Sequence, residues 1–376
     1  MSRSTTKTRR SNIELMRIVL FSMVVSLHIA GPYLETHFYT GTLNWQFSNL
    51  LDGGSRLGSI GFVLIAGYFM SSSKSDRPAS RVLKLLPPLA FYWVMYLALY
   101  YMDAKAAGHL AGPGSLPLHE HPALRAVMDF LRADGHFYPL WFVQVFIALY
   151  LLIPYLNILV DRLEQQRLRN LIIVLFSITS AIPTLVYITG INFYRLDFFS
   201  SKLGLFVTLY FIAAYIRKYV QIKVGAGRLF LVFATGEFLI VFLTFLYNSR
   251  YSPLIFFKKI VGVTMTYPFS GFLGNFYERS NSLVMATGVV MLLFFLKLDI
   301  SSRAINWIAA KTYGAYICHV FWINILGHHW PIFSHLPYVI ATTALIISVI
   351  VCSLATESLR QWLAGLLGSM LREKSG

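Results

Sequence analysis

The sequence is short of charged residues and of cysteine. Only 13% of its 376 residues are Asp, Glu, Lys or Arg, and the acidic residues number 16 against 32 basic ones. A hydrophobic content of 56% and a mean hydropathy of +0.61 exclude an ordinary soluble domain of this length. The two cysteines, Cys318 and Cys352, lie inside apolar runs, so neither a disulfide framework nor a thiolate metal site is predicted.

The chain is predicted to be an all-α, polytopic membrane protein with about ten transmembrane helices. Ten apolar runs are long enough to cross about 30 Å of hydrocarbon. They cover residues 13–33, 57–72, 86–102, 138–156, 171–190, 203–217, 229–247, 282–298, 312–328 and 338–356. The first run is interpreted as an uncleaved span, because it is long and lacks a convincing cleavage site. The segment 248–281 could be an outer loop that re-enters the membrane, or an extra span.

The net charge of +16 does not indicate nucleic-acid binding, because the basic residues lie in short clusters between apolar runs. With a cytoplasmic N-terminus, 21 of the 32 Lys and Arg residues fall on the cytoplasmic side. This bias predicts that both termini are cytoplasmic. Residues 1–12 and 361–376 are then cytoplasmic tails around one membrane domain, residues 13–360.

The opening span carries three ionisable residues, Glu14, Arg17 and His28. Eleven residues of helix come within about 20° of three full turns and rise about 16 Å, so Arg17 and His28 lie on one face at different depths. Glu14 and Arg17, spaced i,i+3, can form an ion pair. This face must look into the protein or a water-filled cavity, and ionisable residues inside a span are functional candidates.

His28 is expected near the outer side of the membrane, where Gly31 and Pro32 would loosen or end the helix. A histidine there can accept a proton from a hydroxyl group. The alternative is a histidine bonded to a backbone carbonyl or to interfacial water.

The loop before the third span is strongly basic, with Lys74, Arg77, Arg81 and Lys84. Such a cluster could hold the phosphates of a nucleotide-containing donor on the cytoplasmic side. The alternative is an ordinary positive-inside signal or contact with anionic lipid.

Several other polar residues lie in or near the spans. Glu237 is midway through the seventh run and needs a proton or a cation partner. Tyr313, Tyr316 and His319 share a helical face. His328, His329 and His335 could imitate a metal site, but no nearby carboxylate or His-x3-His pairing supports one, so no metal is expected. Tyr138, Trp141 and Phe142 form either an interfacial aromatic belt or a substrate platform.

These residues resemble acyltransferase family 3, multi-pass membrane enzymes that O-acylate sugars of bacterial surface polysaccharides and related acceptors. Arg17 and His28 match the family's Arg-x10-His motif, preceded by an acidic residue at Glu14. GFVLIAGYFM at 61–70 resembles the second-span pattern, and HFYPLWFVQVFIALYLLIPYLN at 136–157 resembles an aromatic span closed by proline. KTYGAYICH at 311–319 is similar to the family's late Gly-x-Tyr-x-x-His segment.

Two positions depart from the family pattern. The Arg-x-x-Arg before the third span reads Arg81-x-x-Lys84, and a lysine cannot make the bidentate contact of a guanidinium. The serine of the second-span Ser-Gly-Tyr is Ala66, so a role of that hydroxyl does not transfer.

The resemblance implies transfer of an acyl group, with acetyl favoured, from cytoplasmic acyl-CoA to a sugar hydroxyl of a surface polysaccharide or its lipid-linked precursor. The membrane would be the bacterial cytoplasmic (inner) membrane. His28 would be the general base, with Arg17 oriented by Glu14, and the donor phosphates would be held by Arg81, Lys84, Arg77 and Lys74. The residues expected to line the substrate cavity are Tyr68, Trp141, Glu237, Tyr316 and His319.

Two other classes of function stay open on the sequence. A transporter or flippase of a lipid-linked sugar or small molecule would also place Arg, Glu and His around a cavity, and it predicts pseudo-repeated halves with matching broken spans. A purely structural membrane subunit leaves the ionisable face of the opening span without an explanation.

Overall fold

A computed structural model describes residues 10–37, 42–72, 78–106, 121–189, 201–248, 279–329 and 331–373, and every regular element in these ranges is helical. The α-helices are α1 (Ser11–Thr36), α2 (Leu43–Gly53), α3 (Leu57–Met70), α4 (Pro78–Leu83), α5 (Leu86–Ala106), α6 (Pro122–Arg132), α7 (Trp141–Arg162), α8 (Gln165–Phe176), α9 (Ile182–Thr189), α10 (Lys202–Tyr219), α11 (Ala226–Asn248), α12 (Ser282–Lys297), α13 (Arg303–Ala309), α14 (Thr312–Asn324) and α15 (Tyr338–Glu373). A 3₁₀ turn (Gly135–Leu140) precedes α7, and π-type turns follow α8 (Ser177–Ala181) and α14 (Ile325–His329).

Each of the ten apolar runs coincides with helix in the described ranges, which confirms the helical prediction. Five helical stretches there are long and apolar enough to cross a membrane: Ser11–Leu34, Pro122–Arg162, Gln165–Leu185, Ala226–Leu246 and Tyr338–Met370. That the chain crosses the membrane ten times, and that both termini are cytoplasmic, stay predictions. Residues 249–278 lie outside the described ranges.

The helix break expected at Gly31 and Pro32 does not occur, and α7 also accommodates a proline. The opening helix continues through Gly31 and Pro32 to Thr36, and α7 continues past Pro154 to Arg162. A proline removes one backbone hydrogen bond, but an apolar environment offers no water to replace the remaining bonds, so the chain keeps its helical geometry. The stretches between the first and second and between the third and fourth apolar runs are also partly helical, since they contain α2 and α6.

The chain divides into two compact units, and the boundary falls within α7. The first unit comprises Met1–Asp76 and Leu152–Ala310. At its centre α3, buried over most of its length, packs against α1, α10 and α12. Glycines allow this close packing: a Cβ at Gly67 would lie 2.9 Å from Tyr210 O, and one at Gly61 would overlap the side chain of Leu20.

The second unit comprises Arg77–Leu151 and Lys311–Gly376. In it α14 packs against α5 and α15. Buried tyrosine hydroxyls tie these helices to backbone carbonyls, because Tyr96 donates to Ile317 O (2.8 Å) and Tyr316 donates to Pro139 O (2.8 Å). Each of these bonds satisfies a polar group that would otherwise be buried alone.

Candidate functional site

The start of α1 is fixed by its first two residues. The Asn12 side chain is buried, and its Nδ2 donates to Phe295 O (2.9 Å) and Leu298 O (3.0 Å) at the end of α12. Ser11 Oγ accepts from Ser302 N at 3.0 Å. The two Asn12 bonds satisfy carbonyls that the end of α12 leaves free. They set the depth and rotation of the helix that carries Glu14, Arg17 and His28.

Glu14 and Arg17 form the ion pair that their spacing predicts. Arg17 Nη1 lies 3.0 Å from Glu14 Oε1 and 3.2 Å from Oε2. Glu14 is buried, whereas 38% of the Arg17 side chain is exposed. The guanidinium is therefore neutralised on one side and accessible on the other.

The face of α1 that carries Arg17 and His28 packs against protein. A Cβ at Gly58 would lie 2.7 Å from Val24 Cγ2, and one at Gly31 would lie 3.4 Å from Asp52 Oδ1. At about 100° per residue, Arg17, Val24, His28 and Gly31 fall within an arc of about 60°. Half-buried His28 lies on this face at a level between Val24 and Gly31 along the helix axis.

That turn holds an ion pair that the sequence did not indicate. Asp52, at the end of α2, is fully buried, and its Oδ2 accepts from Arg56 Nε (3.1 Å) and Nη2 (2.5 Å). Arg56 is also buried. The i,i+4 spacing was a usable signal, but both residues lie between the first and second apolar runs, outside the predicted spans.

Glu237 approaches the same turn from α11. A Cβ at Gly54 would lie 3.7 Å from Glu237 Oε2. Both carboxyl oxygens are buried, and neither has a hydrogen-bond partner among the described residues. We call Asp52, Arg56 and Glu237 the α2–α3 turn cluster.

Tyr68 lies away from this cluster, although both are in the first unit. It is eleven residues from the start of α3, or about 16 Å along the helix axis. There Arg217 Cζ of α10 lies 5.1 Å from the centre of the half-buried Tyr68 ring and 5.9 Å from that of Phe69. The geometry is that of a cation–π contact.

Trp141, Tyr316 and His319 belong to the second unit. Trp141 is half-buried and packs edge-to-face on Phe142. His319 is fully buried, and its Nδ1 lies 2.5 Å from Tyr316 O. Tyr316 bonds Pro139 O through its hydroxyl. These three residues therefore have structural contacts within their own unit, and their predicted cavity role stays a prediction.

The second unit also contains a buried carboxylate that the sequence did not indicate. Glu357 accepts from Tyr92 OH (2.6 Å), Arg360 Nε (2.7 Å) and Nη2 (2.6 Å), and Gln361 Nε2 (2.8 Å). A Cβ at Gly314 would overlap the carboxyl group of Glu357. The i,i+3 spacing of Glu357 and Arg360 repeats that of Glu14 and Arg17. Glu357 lies one position beyond the last apolar run, so hydropathy did not indicate that its carboxylate is buried.

Two histidines of the second unit share one carboxylate. Asp103 Oδ2 lies 2.7 Å from His136 Nε2, and Asp103 Oδ1 lies 3.1 Å from His329 Nε2. Over the ranges that are described, no group of three or more His, Cys, Asp or Glu side chains is arranged to hold a metal ion.

The predicted donor-phosphate residues are only partly described. Lys84 is exposed after α4. Arg81 falls within α4, but its side chain, like Lys74 and Arg77, lies outside the described residues. Their role in donor binding stays a prediction.

One comparison with known proteins is informative. A family model described as an acyltransferase domain, family 3, matches residues 10–357, nearly the whole chain. The match includes His28 and all three members of the α2–α3 turn cluster. No curated protein and no solved structure is similar enough to match the chain.

Proposed function

The chain belongs to acyltransferase family 3, and we propose that it is a membrane O-acyltransferase acting on a sugar hydroxyl. The proposed donor is acyl-CoA, with acetyl-CoA as the first candidate, and the proposed acceptor is a surface polysaccharide or its lipid-linked precursor. The proposed location is the bacterial inner membrane, with the donor on the cytoplasmic side.

The packing of α1 supports this proposal most strongly. Half-buried His28 lies on the face of α1 where Val24 packs against Gly58 and Gly31 lies beside Asp52. Asp52 and Arg56 are buried and paired in the same apolar helical unit. His28 is a proton acceptor on the same helical face as the partly exposed Arg17. Acyl transfer between the two sides of a membrane requires a proton acceptor and a cation arranged in this way. A structural subunit would have no need of this arrangement.

In the proposed reaction, His28 removes the proton from the acceptor hydroxyl as the oxygen attacks the thioester carbonyl carbon. The new carbon–oxygen bond forms, the carbon–sulfur bond breaks, and the thiolate of CoA leaves with the proton that His28 took up. The Arg17 guanidinium, neutralised on one side by Glu14, can stabilise the negative charge that develops on the carbonyl oxygen. No redox partner is needed.

Arg81 gives a test of the donor side. Replacing Arg81 by alanine removes one of four clustered positive charges, so we expect the KM for acetyl-CoA to rise, by about tenfold for the loss of ~1.4 kcal/mol of phosphate binding. The KM for the acceptor should stay unchanged. Steady-state kinetics with each substrate varied in turn provide the measurement, and a change confined to the acceptor KM would show that this loop does not bind the donor.

The overall function is tested by incubating membranes that contain the full chain with acetyl-CoA labelled in its acetyl group. We expect the label to appear in the glycan fraction and to be released by mild base, as an O-ester is. Control membranes lack the protein. A panel of methyl pyranosides is added as further acceptors, and the amount of folded protein is checked. If the label then stays in acetyl-CoA, the proposal is contradicted.

A further inference from the structure

Glu357 and Arg360, in the second half of α15, form a side-on ion pair. Glu357 Oε2 accepts from Arg360 Nε (2.7 Å), and Oε1 accepts from Nη2 (2.6 Å). Only 3% of the Glu357 side chain is exposed, against 15% for Arg360. A guanidinium carries five N–H donors in a rigid plane, and Glu357 takes two of them. The pair therefore leaves donors of Arg360 for another ligand.

The carboxylate of Glu357 is fixed from three helices. Tyr92 OH of α5 donates to Oε2 at 2.6 Å, and Gln361 Nε2 of α15 donates to Oε1 at 2.8 Å. Towards α14, the carboxyl group fills the space that a Cβ at Gly314 would need. These contacts fix the plane of the carboxylate, and through it the plane of the Arg360 guanidinium.

This pair lies at the same end of the second unit as the basic loop before α5. Tyr313, next to Gly314 in α14, donates its hydroxyl to Leu85 O (3.2 Å), and Leu85 follows the exposed Lys84 in the turn between α4 and α5. Tyr313 also interacts electrostatically with Arg360. The predicted topology assigns the starts of α5 and α14 and the end of the last span to the cytoplasmic side, where the donor is proposed to bind.

Two cations adjoin the carboxylate of Glu357. One is Arg360, and the other is Lys311, which is buried just before α14 and interacts electrostatically with Glu357. Together these three residues carry one net positive charge, to which the exposed Lys84 adds another. Such a site favours an anion, and the planar fork of a guanidinium matches the geometry of a phosphate group.

We propose that Arg360 binds a phosphate group of acyl-CoA and that Glu357 is the positioning residue that orients it. This inference rests on the proposed function, because it takes the donor to be acyl-CoA. One edge of the guanidinium stays on Glu357 while another edge binds phosphate oxygens, so the donor is held without breaking the buried pair. Arg360 contributes to donor binding and takes no part in breaking the thioester.

A purely structural ion pair is the competing explanation, since the same network joins α5, α14 and α15. The two roles separate in the response of KM and kcat. Loss of donor binding raises the KM for acetyl-CoA and leaves kcat at saturation unchanged. Loss of packing lowers the melting temperature and the fraction of active protein, and the KM of the active protein stays the same.

The experiment uses the purified full chain with acetyl-CoA and a methyl pyranoside acceptor chosen from the panel. Arg360→Lys keeps a cation beside Glu357, but an ammonium cannot bind a carboxylate side-on and a phosphate group at once. We expect the KM for acetyl-CoA, and the Kd for CoA measured by calorimetry, to rise about tenfold, with little change in kcat. Arg132→Lys, at the exposed end of α6 in the same unit, is the matched control and should bind CoA as the wild type does.

Two further variants test the pair itself. Glu357→Gln combined with Arg360→Gln leaves neither member with an unpaired charge, and it should raise the Kd for CoA at least as much as Arg360→Lys. Glu357→Asp keeps the charge but withdraws the carboxylate by one methylene group, so the Kd for CoA should rise although the net charge is the same.

Folded Arg360→Lys protein with the KM and Kd of Arg132→Lys would overturn the role of Arg360, and the double variant decides the matter if Arg360→Lys does not fold. A Kd of wild-type size in Glu357→Asp would reject the positioning role. Binding of CoA to the wild type separates this inference from the proposed function. If the wild type binds CoA and the variants bind it equally well, only this inference fails, whereas a wild type without affinity for CoA would reject the acyl-CoA donor as well.

Discussion

Replacing Gly314 by alanine is expected to leave little correctly folded protein. The added Cβ would overlap the carboxyl group of Glu357, which cannot move aside because Tyr92, Arg360 and Gln361 hold both of its oxygens. Either α14 shifts away from α15 or the buried charge network breaks. Overpacking of this kind costs ~1 to 3 kcal/mol and loss of a buried pair ~3 to 5 kcal/mol. Thermal unfolding in detergent and the yield of monodisperse protein are the measurements.

Gly365 offers a matched control on the helix that carries Glu357. A Cβ there would meet no described atom within 4 Å, so Gly365→Ala should be neutral or stabilising by up to ~1 kcal/mol. Adding Glu357→Asp to Gly314→Ala shortens the carboxyl side chain and should recover part of the lost stability. A Gly314→Ala protein as stable as Gly365→Ala would show that α14 and α15 are not packed as described.

The second large effect concerns catalysis. His28→Gln keeps a polar side chain of similar size, but an amide cannot accept a proton near neutral pH. We therefore expect kcat for acetyl transfer to fall by about 10² to 10⁴, the usual contribution of a general base. The KM for acetyl-CoA should change little, because His28 is assigned to the acceptor. Kinetics at saturating acetyl-CoA measure the effect.

His37 is the matched control for His28, because it lies at the end of the same helix, is exposed, and stacks on Tyr33 with ring centroids 4.1 Å apart. His37→Gln should retain wild-type transfer. Folded His28→Gln protein with the kcat of His37→Gln would exclude a general-base role for His28.

Local sequence information was sufficient for the helices of the ten apolar runs and for the opening ion pair. Hydropathy over a membrane-length window identified all ten runs as helical, because in an apolar environment the backbone must satisfy its own hydrogen bonds. The i,i+3 spacing of Glu14 and Arg17 was enough to predict their contact at 3.0 Å. The angular relation of Arg17 and His28 followed from the helical repeat alone.

Tertiary partners could not be predicted in the same way. Asp52 lies near the end of α2, and Arg56 directly precedes α3. The stretch that contains them is too short and too polar to be identified as membrane-embedded. Glu357 pairs with a tyrosine 265 positions away in the chain, and its need for Gly314 appears only when two helices are packed. Asn12 likewise caps a helix end 283 residues distant. No periodicity carries information about such contacts.

The most direct test of the account is transfer across a sealed membrane. Purified protein is reconstituted in vesicles, and acetyl-CoA labelled in its acetyl group is supplied only on the face that carries the N-terminus, with an impermeant methyl pyranoside enclosed on the other. The account predicts labelled acceptor inside vesicles of the wild type and only background with His28→Gln. Equal labelling by the two proteins, or label that appears only when donor and acceptor share one side, would contradict it.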